Sequence, residues 1–252
     1  MISNSSSKDL KAVIIGSTGA IGKEVINYML SSNNWSKILI VCRKKLLEWD
    51  NLPSNKKLKI EIIVIDNLNL LSQSKEDIIK YNSLLNLENF NSVFCCLGSR
   101  VSKGEEEFKK VDYEYVLNSL ELCTKFSIPH FTYVSSKGSN HKSFFLYLRT
   151  KGQLEEKIKN ICSNLNSNNC QNLYPKTISI FKPGAILNRD NDFRIGELFL
   201  KGLVYMSFKT IDHIEAKDLG IAMVKDAENK YSLNYKCIDN LSFYNNSDIK
   251  KI

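Results

Sequence analysis

The chain has 252 residues, 43% of them hydrophobic and 25% charged, with 35 lysines and arginines against 27 acids and a formal charge of +8. That length suits one domain of ordinary size with a substantial core, and no apolar run approaches the ~18 residues that cross a bilayer, so no transmembrane segment is expected. The basic residues are spread along the chain and mixed with acids, a solvated surface rather than a nucleic-acid groove, and seven cysteines without paired Cys-x-x-Cys spacing argue against a disulfide framework or a zinc site. The Ser/Asn-rich opening at 1–9 has no apolar signal core, which makes a cytoplasmic location the default expectation.

In chain order, the first predicted element is a short buried strand at Val13-Ile14-Ile15, followed by Gly16, Gly19 and Gly22. Gly16 is expected to turn the chain off the strand and Gly19 to let backbone N–H groups approach a pyrophosphate. Gly22 is expected to let the next helix, 23–30, pack closely on the sheet. The positive N-terminus of that helix then faces the phosphates. The glycine spacing is looser than Gly-x-Gly-x-x-Gly; the strand before it and the helix and strand after it make it a nucleotide-binding turn.

A second strand at 35–41 runs into Arg43, Lys44 and Lys45. In nicotinamide-binding folds this place meets the adenosine ribose, where an acid accepts hydrogen bonds from the 2′-hydroxyl and an arginine accommodates a 2′-phosphate. No acid appears before Glu48, so the sequence favours NADP over NAD, with Arg43 as the bidentate phosphate partner and Lys44 as a supporting charge. The third strand, 59–65, ends at Asp66, which reads equally as an adenine contact and as turn chemistry. Apolar spacing predicts a helix at 78–85. The fourth strand, 92–97, closes on Gly98, which makes Leu97 and Gly98 candidates to line a dinucleotide at the carboxyl edge of a sheet. Cys95 and Cys96, adjacent in that strand, should point to opposite faces.

A charged loop at 100–107 leads to a predicted helix at 108–126, and a fifth strand is expected at 131–134. His130, like His141 and His213, has nothing nearby in sequence to orient it; it reads as a turn or edge residue, and a Ser-His-Asp hydrolase is poorly supported. The fifth strand runs into Ser135 and Ser136. Tyr147 and Lys151 follow, four apart and therefore on one face of a helix that continues to 159. An ammonium near a phenol favours the phenolate and fits it for proton transfer, while a serine hydroxyl can hold a substrate oxygen against it. The Asn/Ser-rich stretch 160–172 reads as a surface loop. A sixth strand at 177–181 precedes Pro183 and Gly184. Within the remaining 184–252, the 193–208 stretch is read either as a cover for the substrate side or as structural closure, and 213–224 as a helix packing on the sheet.

The order of these features resembles the atypical, extended-like branch of the short-chain dehydrogenase/reductase superfamily. Phe94-Cys95-Cys96-Leu97-Gly98, Val111-Asp112-Tyr113-Glu114-Tyr115-Val116, Ser135-Ser136-Lys137-Gly138, Phe145-Leu146-Tyr147-Leu148 and Phe181-Lys182-Pro183-Gly184 are similar to the oxidoreductase family named after a Tat-interacting protein, over about 11–226. The resemblance implies one Rossmann-like, doubly wound α/β domain over 1–252, a parallel sheet with helices on both faces, in which 1–10 are disordered and 184–252 form a small substrate-side region.

It also implies NADPH as cofactor, Tyr147 as proton donor or acceptor, Lys151 holding the nicotinamide ribose, and Ser136, ahead of Ser135, as the third catalytic member. The phosphate-turn contacts would be Thr18, Gly19, Ala20 and Ile21, the basic pair Arg43 and Lys44; Pro183 would lie beside the nicotinamide and Arg189 would reach the cofactor. The chain departs from the wider superfamily in offering Asp112 where tetrads use an asparagine, and Ala20-Ile21 where relatives can carry polar residues. The expected function is NADPH-dependent reduction of a carbonyl-containing small molecule. The alternative is an NADPH-binding regulator that engages protein partners in trafficking or transcription, for which a peripheral place on an organelle membrane or a nuclear one would be the matching address. A homodimer through helices beside strands four and five is implied by analogy alone.

Overall fold

The structure, a computed structural model, describes residues 9–167, 174–187, 213–229 and 234–239. Seven parallel strands form its main sheet: β1 (Leu10–Ile15), β2 (Trp35–Cys42), β3 (Ile60–Val64), β4 (Ser92–Cys95), β5 (His130–Val134), β6 (Thr177–Lys182) and β9 (Asn234–Asp239), in the order β3-β2-β1-β4-β5-β6-β9. A two-stranded sheet, β7 (Ala185–Leu187) beside β8 (His213–Glu215), stands apart from it. The strand order reverses between β1 and β4, which makes this the doubly wound α/β architecture expected, with its switch point at the end of β1.

Alternating strand residues build two cores, one on each face of the sheet. Ala12, Ile14, Ile38, Ile40 and Phe94 pack with Val25, Ile26 and Met29 of α1 (Ala20–Ser31), and with Leu219, Met223 and Val224 of a late helix, Ala216–Glu228, designated α7. Val13, Ile15, Leu39, Val41, Val93 and Cys95 face the other way, against α3 (Lys75–Tyr81), α5 (Tyr115–Lys125) and α6 (Leu146–Ser167). Cys95 and Cys96 do fall on opposite faces, the first in one core and the second against the other. The remaining helices, α2 (Ser54–Lys57) and α4 (Glu105–Lys109), are short.

Four expected elements differ. The helix predicted at 108–126 is broken into α4, a π-helical turn at Lys110–Glu114 and α5, a break that the 3.6-residue period does not register. The polar 160–172 stretch is not a loop through its first part, because α6 runs on to Ser167. Residues 213–215 form β8 before α7 begins, and the 78–85 helix is α3 followed by a separate short turn at Ser83–Leu85. β1 already begins at Leu10, inside the stretch expected to be disordered. Arg189 and the 193–208 stretch lie outside the described residues.

Candidate active site

The parallel register gathers the expected residues on one edge. Ile15 pairs with both Val41 and Cys95, Cys95 with Tyr133, and Val134 with Phe181. The strands therefore end level, and the residues just beyond them, Gly16, Arg43, Leu97, Gly98, Ser135, Ser136 and Pro183, share the carboxyl edge where ligands of open α/β sheets bind. Arg43, Lys44 and, past β3, Asp66 are exposed there.

Gly16 has a φ of +86°, and a Cβ on it would lie 2.5 Å from the carbonyl carbon of Cys96 and 2.6 Å from the nitrogen of Leu97. The turn is thus pressed against the exit of β4, which brings Leu97 and Gly98 to it. Gly22 does a different job from the one expected: its Cβ would clash with the turn rather than the sheet, 2.4 Å from the oxygen of Gly16 and 2.8 Å from Cα of Ser17. At Gly19 an added Cβ would meet only the Gly16 oxygen, at 3.5 Å, so the space outside the turn is open. Gly19 is the N-cap of α1, with no side-chain cap and no acid in the first helical turn. The first N–H groups of a helix lack intrahelical acceptors, and here they and the positive helix end face that open space. Thr18 is exposed, Ala20 half-buried and Ile21 buried, which leaves the Thr18 hydroxyl exposed beside the backbone donors, while Ser17 is buried.

Tyr147 sits in the first turn of α6, half-buried, its ring 5.9 Å from that of Phe108. Lys151, one turn on, is buried. Its Nζ lies 2.8 Å from Oδ1 of Asp112, donates to the carbonyl oxygen of Val134 at 3.3 Å, and stands 4.8 Å over the ring of Tyr133. Burial works against the charge of Lys151, but the Asp112 carboxylate, then Tyr133 and Tyr147, outweigh it and hold the ammonium well above the ordinary lysine range. The other Asp112 oxygen accepts the backbone N–H of Ser99 at 2.6 Å. One carboxylate in the π-helical turn therefore ties the exit of β4 to the helix that carries Tyr147.

The two serines separate. Ser135 is buried and donates to Oε1 of Glu155, which also accepts from Ser139 at 2.5 Å, while Oε2 of Glu155 pairs with Lys182 at 2.9 Å. Ser136 is half-exposed, its hydroxyl donating to the neighbouring Lys137 carbonyl at 3.2 Å. Glu155, Tyr133 and Ser99 were not singled out from sequence; Glu155 had a signal, since it continues the four-residue spacing of Tyr147 and Lys151 along one helix face.

His130 departs from its expectation. It is neither an edge nor an isolated residue but the buried first residue of β5, with Nδ1 3.2 Å from Oγ of Ser92, Nε2 3.3 Å from Oγ of Ser179 and 3.6 Å from Asp226. Strand pairing brings these together at the amino end of β4 and β5, away from the edge described above. His130, Ser92 and Ser179 are fully buried there. Among the described residues no cluster of three or more metal-ligating side chains occurs, and no helix is long and apolar enough to cross a membrane.

No model of a known protein family matches the chain. It is 29% identical to Protein HTATIP2 of Rattus norvegicus over 185 residues, 73% of this chain and 66% of the rat protein. It is also 29% identical to Protein FMP52, mitochondrial, of Lodderomyces elongisporus over 225 residues, 86% of each chain. Among solved structures, a short-chain type dehydrogenase/reductase from Mycobacterium ulcerans superposes with a TM-score of 0.65 at 15% identity, over 94% of this chain and 91% of that one. The names of the yeast relatives, mitochondrial in several species, overturn the cytoplasmic default. Absence of an apolar signal core carried that expectation, and it does not bear on a mitochondrial address.

Proposed function

Because the chain is an atypical short-chain dehydrogenase/reductase related to Protein HTATIP2, we propose that it is an NADPH-dependent oxidoreductase that reduces a carbonyl group on a small molecule in mitochondria. The observation that carries this reading is the placement of Tyr147 and buried Lys151 on α6, at the same sheet edge as a glycine turn whose outer space is open at Gly19. The residues fit a dinucleotide: uncapped N–H groups and the positive end of α1 suit a pyrophosphate, and exposed Arg43 and Lys44 suit a 2′-phosphate. Leu97, Gly98 and Pro183 would line the nicotinamide end.

When bound there, a reduced nicotinamide would supply a hydride for the carbonyl carbon. Tyr147 hands its hydroxyl proton to the carbonyl oxygen, which closes the balance to an alcohol. Ser136, whose hydroxyl among the described residues donates to the adjacent Lys137 carbonyl at 3.2 Å, can turn and donate to the same oxygen, polarising it. Ser135 supports the loop from beneath through Glu155.

Fluorescence titration with NADPH and NADH tests the cofactor reading. A charge-assisted hydrogen bond contributes ~1.5–3 kcal/mol and exposure pulls this to the low end, so Arg43→Ala should weaken NADPH about tenfold, toward the NADH level. Tyr147→Phe should keep that affinity and abolish turnover of any carbonyl substrate the wild type reduces. Failure of the wild type to bind either nucleotide would end the proposal.

A further inference from the structure

The loop that leaves β5 is held on two sides. Its first arm continues the sheet, with the Ser135 N–H donating to the carbonyl oxygen of Phe181 at 2.7 Å and the Lys137 N–H to that of Pro183 at 2.8 Å. The chain then reverses over 136–139, where the Ser139 N–H reaches back to the Ser136 carbonyl at 3.2 Å. Gly138, third in that turn, has a φ of +78°, the left-handed value that such a turn reserves for glycine. The returning arm lies on α6 instead. There the Asn140 N–H donates to the Leu148 carbonyl at 3.0 Å, and a Cβ on Gly152 would stand 2.3 Å from the backbone of Asn140 and His141. One arm of the turn therefore belongs to the sheet and the other to the helix that carries Tyr147.

Glu155 joins the two arms. Its Oε1 accepts the hydroxyl of Ser135 from the first arm and that of Ser139, at 2.5 Å, from the second, while its Oε2 pairs with Lys182, the last residue of β6, at 2.9 Å. A carboxylate oxygen has lone pairs for two donors, so one atom ties both ends of the turn. Ser135 is 3% exposed and the Glu155 side chain 14%, so a hydroxyl deprived of this acceptor would be left short of a partner where water reaches poorly. We propose that Glu155 is a positioning residue, which holds the turn carrying Ser136 onto α6 and so fixes that hydroxyl relative to Tyr147. This rests on the reading of Ser136 and Tyr147 as the two groups that meet the carbonyl oxygen of a substrate. Tyr147, Lys151 and Glu155 are spaced by four along one face of α6, so one helix supplies the proton donor, the buried ammonium and the clamp on the serine turn. Play between the two arms would separate the hydroxyls, and a misplacement of ~1 Å can cost ~100-fold in rate.

Lys182 offers a competing role for Glu155, that of partner in an ion pair, and two double variants separate the roles. Glu155→Gln with Lys182→Met and Glu155→Ala with Lys182→Met carry the same charge, and both lack the pair. Only the glutamine leaves an oxygen where Oε1 stood, able to accept from both serines.

The first readout is amide hydrogen exchange in the protein without cofactor, resolved by residue and corrected for intrinsic rates. The amide at 139 reports on the turn, and the Cys96 N–H, bonded to the Ile15 oxygen at 2.8 Å, reports on the sheet. The alanine double variant should speed exchange at 139 about tenfold over wild type and the glutamine one less than about threefold, with Cys96 within about twofold in both. Equal exchange at 139 in the two double variants overturns the proposal, as does a rise shared by Cys96, which would mark a general loss of stability. If the alanine variant does not fold, Ser139→Ala deletes one donor and keeps the ion pair; the amide at 139 should then exchange about fivefold faster, and an unchanged rate overturns the proposal. Turnover of NADPH with 9,10-phenanthrenequinone as carbonyl probe is the second readout. The alanine double variant should lower kcat about tenfold or more with NADPH affinity within about twofold, and should lower it no further in a Ser136→Ala background, because the clamp acts through that hydroxyl. An equal fall in both backgrounds overturns the proposal. A wild type that binds no NADPH and reduces no probe would end the reading of the site, whereas the exchange comparison, made without nucleotide or substrate, still decides the clamp.

Discussion

Gly19 and Gly22 are three residues apart in one turn, and the structure assigns them opposite sensitivities. A Cβ on Gly22 would sit 2.4 Å from the Gly16 oxygen, about 1 Å inside an ordinary contact, with backbone on the other side that cannot rotate away. Gly22→Ala therefore forces the turn off β4; overpacking of this kind costs ~1–3 kcal/mol, and for a chain of this size each kcal/mol lowers Tm by about 2–4 °C. A fall of about 2–12 °C in apoprotein Tm is expected, with NADPH affinity falling alongside as the N–H groups shift. Gly19 is different, because its backbone, at φ −78° and ψ 162°, is open to any residue and its Cβ would meet protein only at 3.5 Å. Gly19→Ala should leave apoprotein Tm within about 4 °C of wild type, since a poorer N-cap costs ~1 kcal/mol. The methyl would nevertheless stand where the proposed pyrophosphate lies; loss of hydrogen bonds to a charged group, ~1.5–3 kcal/mol, predicts NADPH binding weaker by about ten- to a hundredfold. Differential scanning calorimetry and the nucleotide titration together read both variants. Wild-type NADPH affinity in Gly19→Ala would refute the assignment of the turn, and an unchanged Tm in Gly22→Ala would refute the packing argument.

Asp112→Ala should be strongly destabilising, because it leaves the buried Lys151 ammonium without its anion; a loss of ~3–5 kcal/mol predicts a Tm lower by about 6–20 °C. Asp112→Ala with Lys151→Met should recover much of that loss, and a double variant as unstable as the single one would show that the ion pair is not its source. Burial also holds the Cys95 thiol up to about 11, against 9.0 in the open chain. The unfolded chain then releases this proton first, so the contribution is complete below pH 9 and is lost as pH rises through 11, at about 1.4 kcal/mol per pH unit. Urea unfolding between pH 8 and 11 should show falling stability, and Cys95→Val should remove about one proton's share of that slope; an identical slope in the variant would contradict the burial argument.

Features that act through neighbouring residues were legible before the fold was known. Strand alternation placed Cys95 and Cys96 on opposite faces, and four-residue spacing put Tyr147 and Lys151 on one face of a helix. The basic end of β2 was recognised for the same reason, since Arg43 follows directly from the strand it leaves. Errors arose where a local rule met a long-range contact. The period of 3.6 residues ran straight through 108–126, while packing against α6 accommodates a π-helical turn at 110–114. Gly22 was given to the sheet, whereas the turn folds back beneath it. His130 seemed isolated because Ser92, Ser179 and Asp226 reach it only through strand order and the packing of α7.

By itself, then, the sequence determined most of the central strands and helices, the place of the glycine turn and the position of Tyr147 and Lys151 one turn apart on a helix, all consequences of backbone preference and spacing over a few residues. Only the tertiary structure decided which partners those groups have: that Glu155 occupies Ser135 and leaves Ser136 at the surface, and that Asp112 takes the charge of Lys151. Such pairings join residues far apart in the chain. They are settled by the burial that brings charges together where water cannot separate them, and no local pattern encodes that.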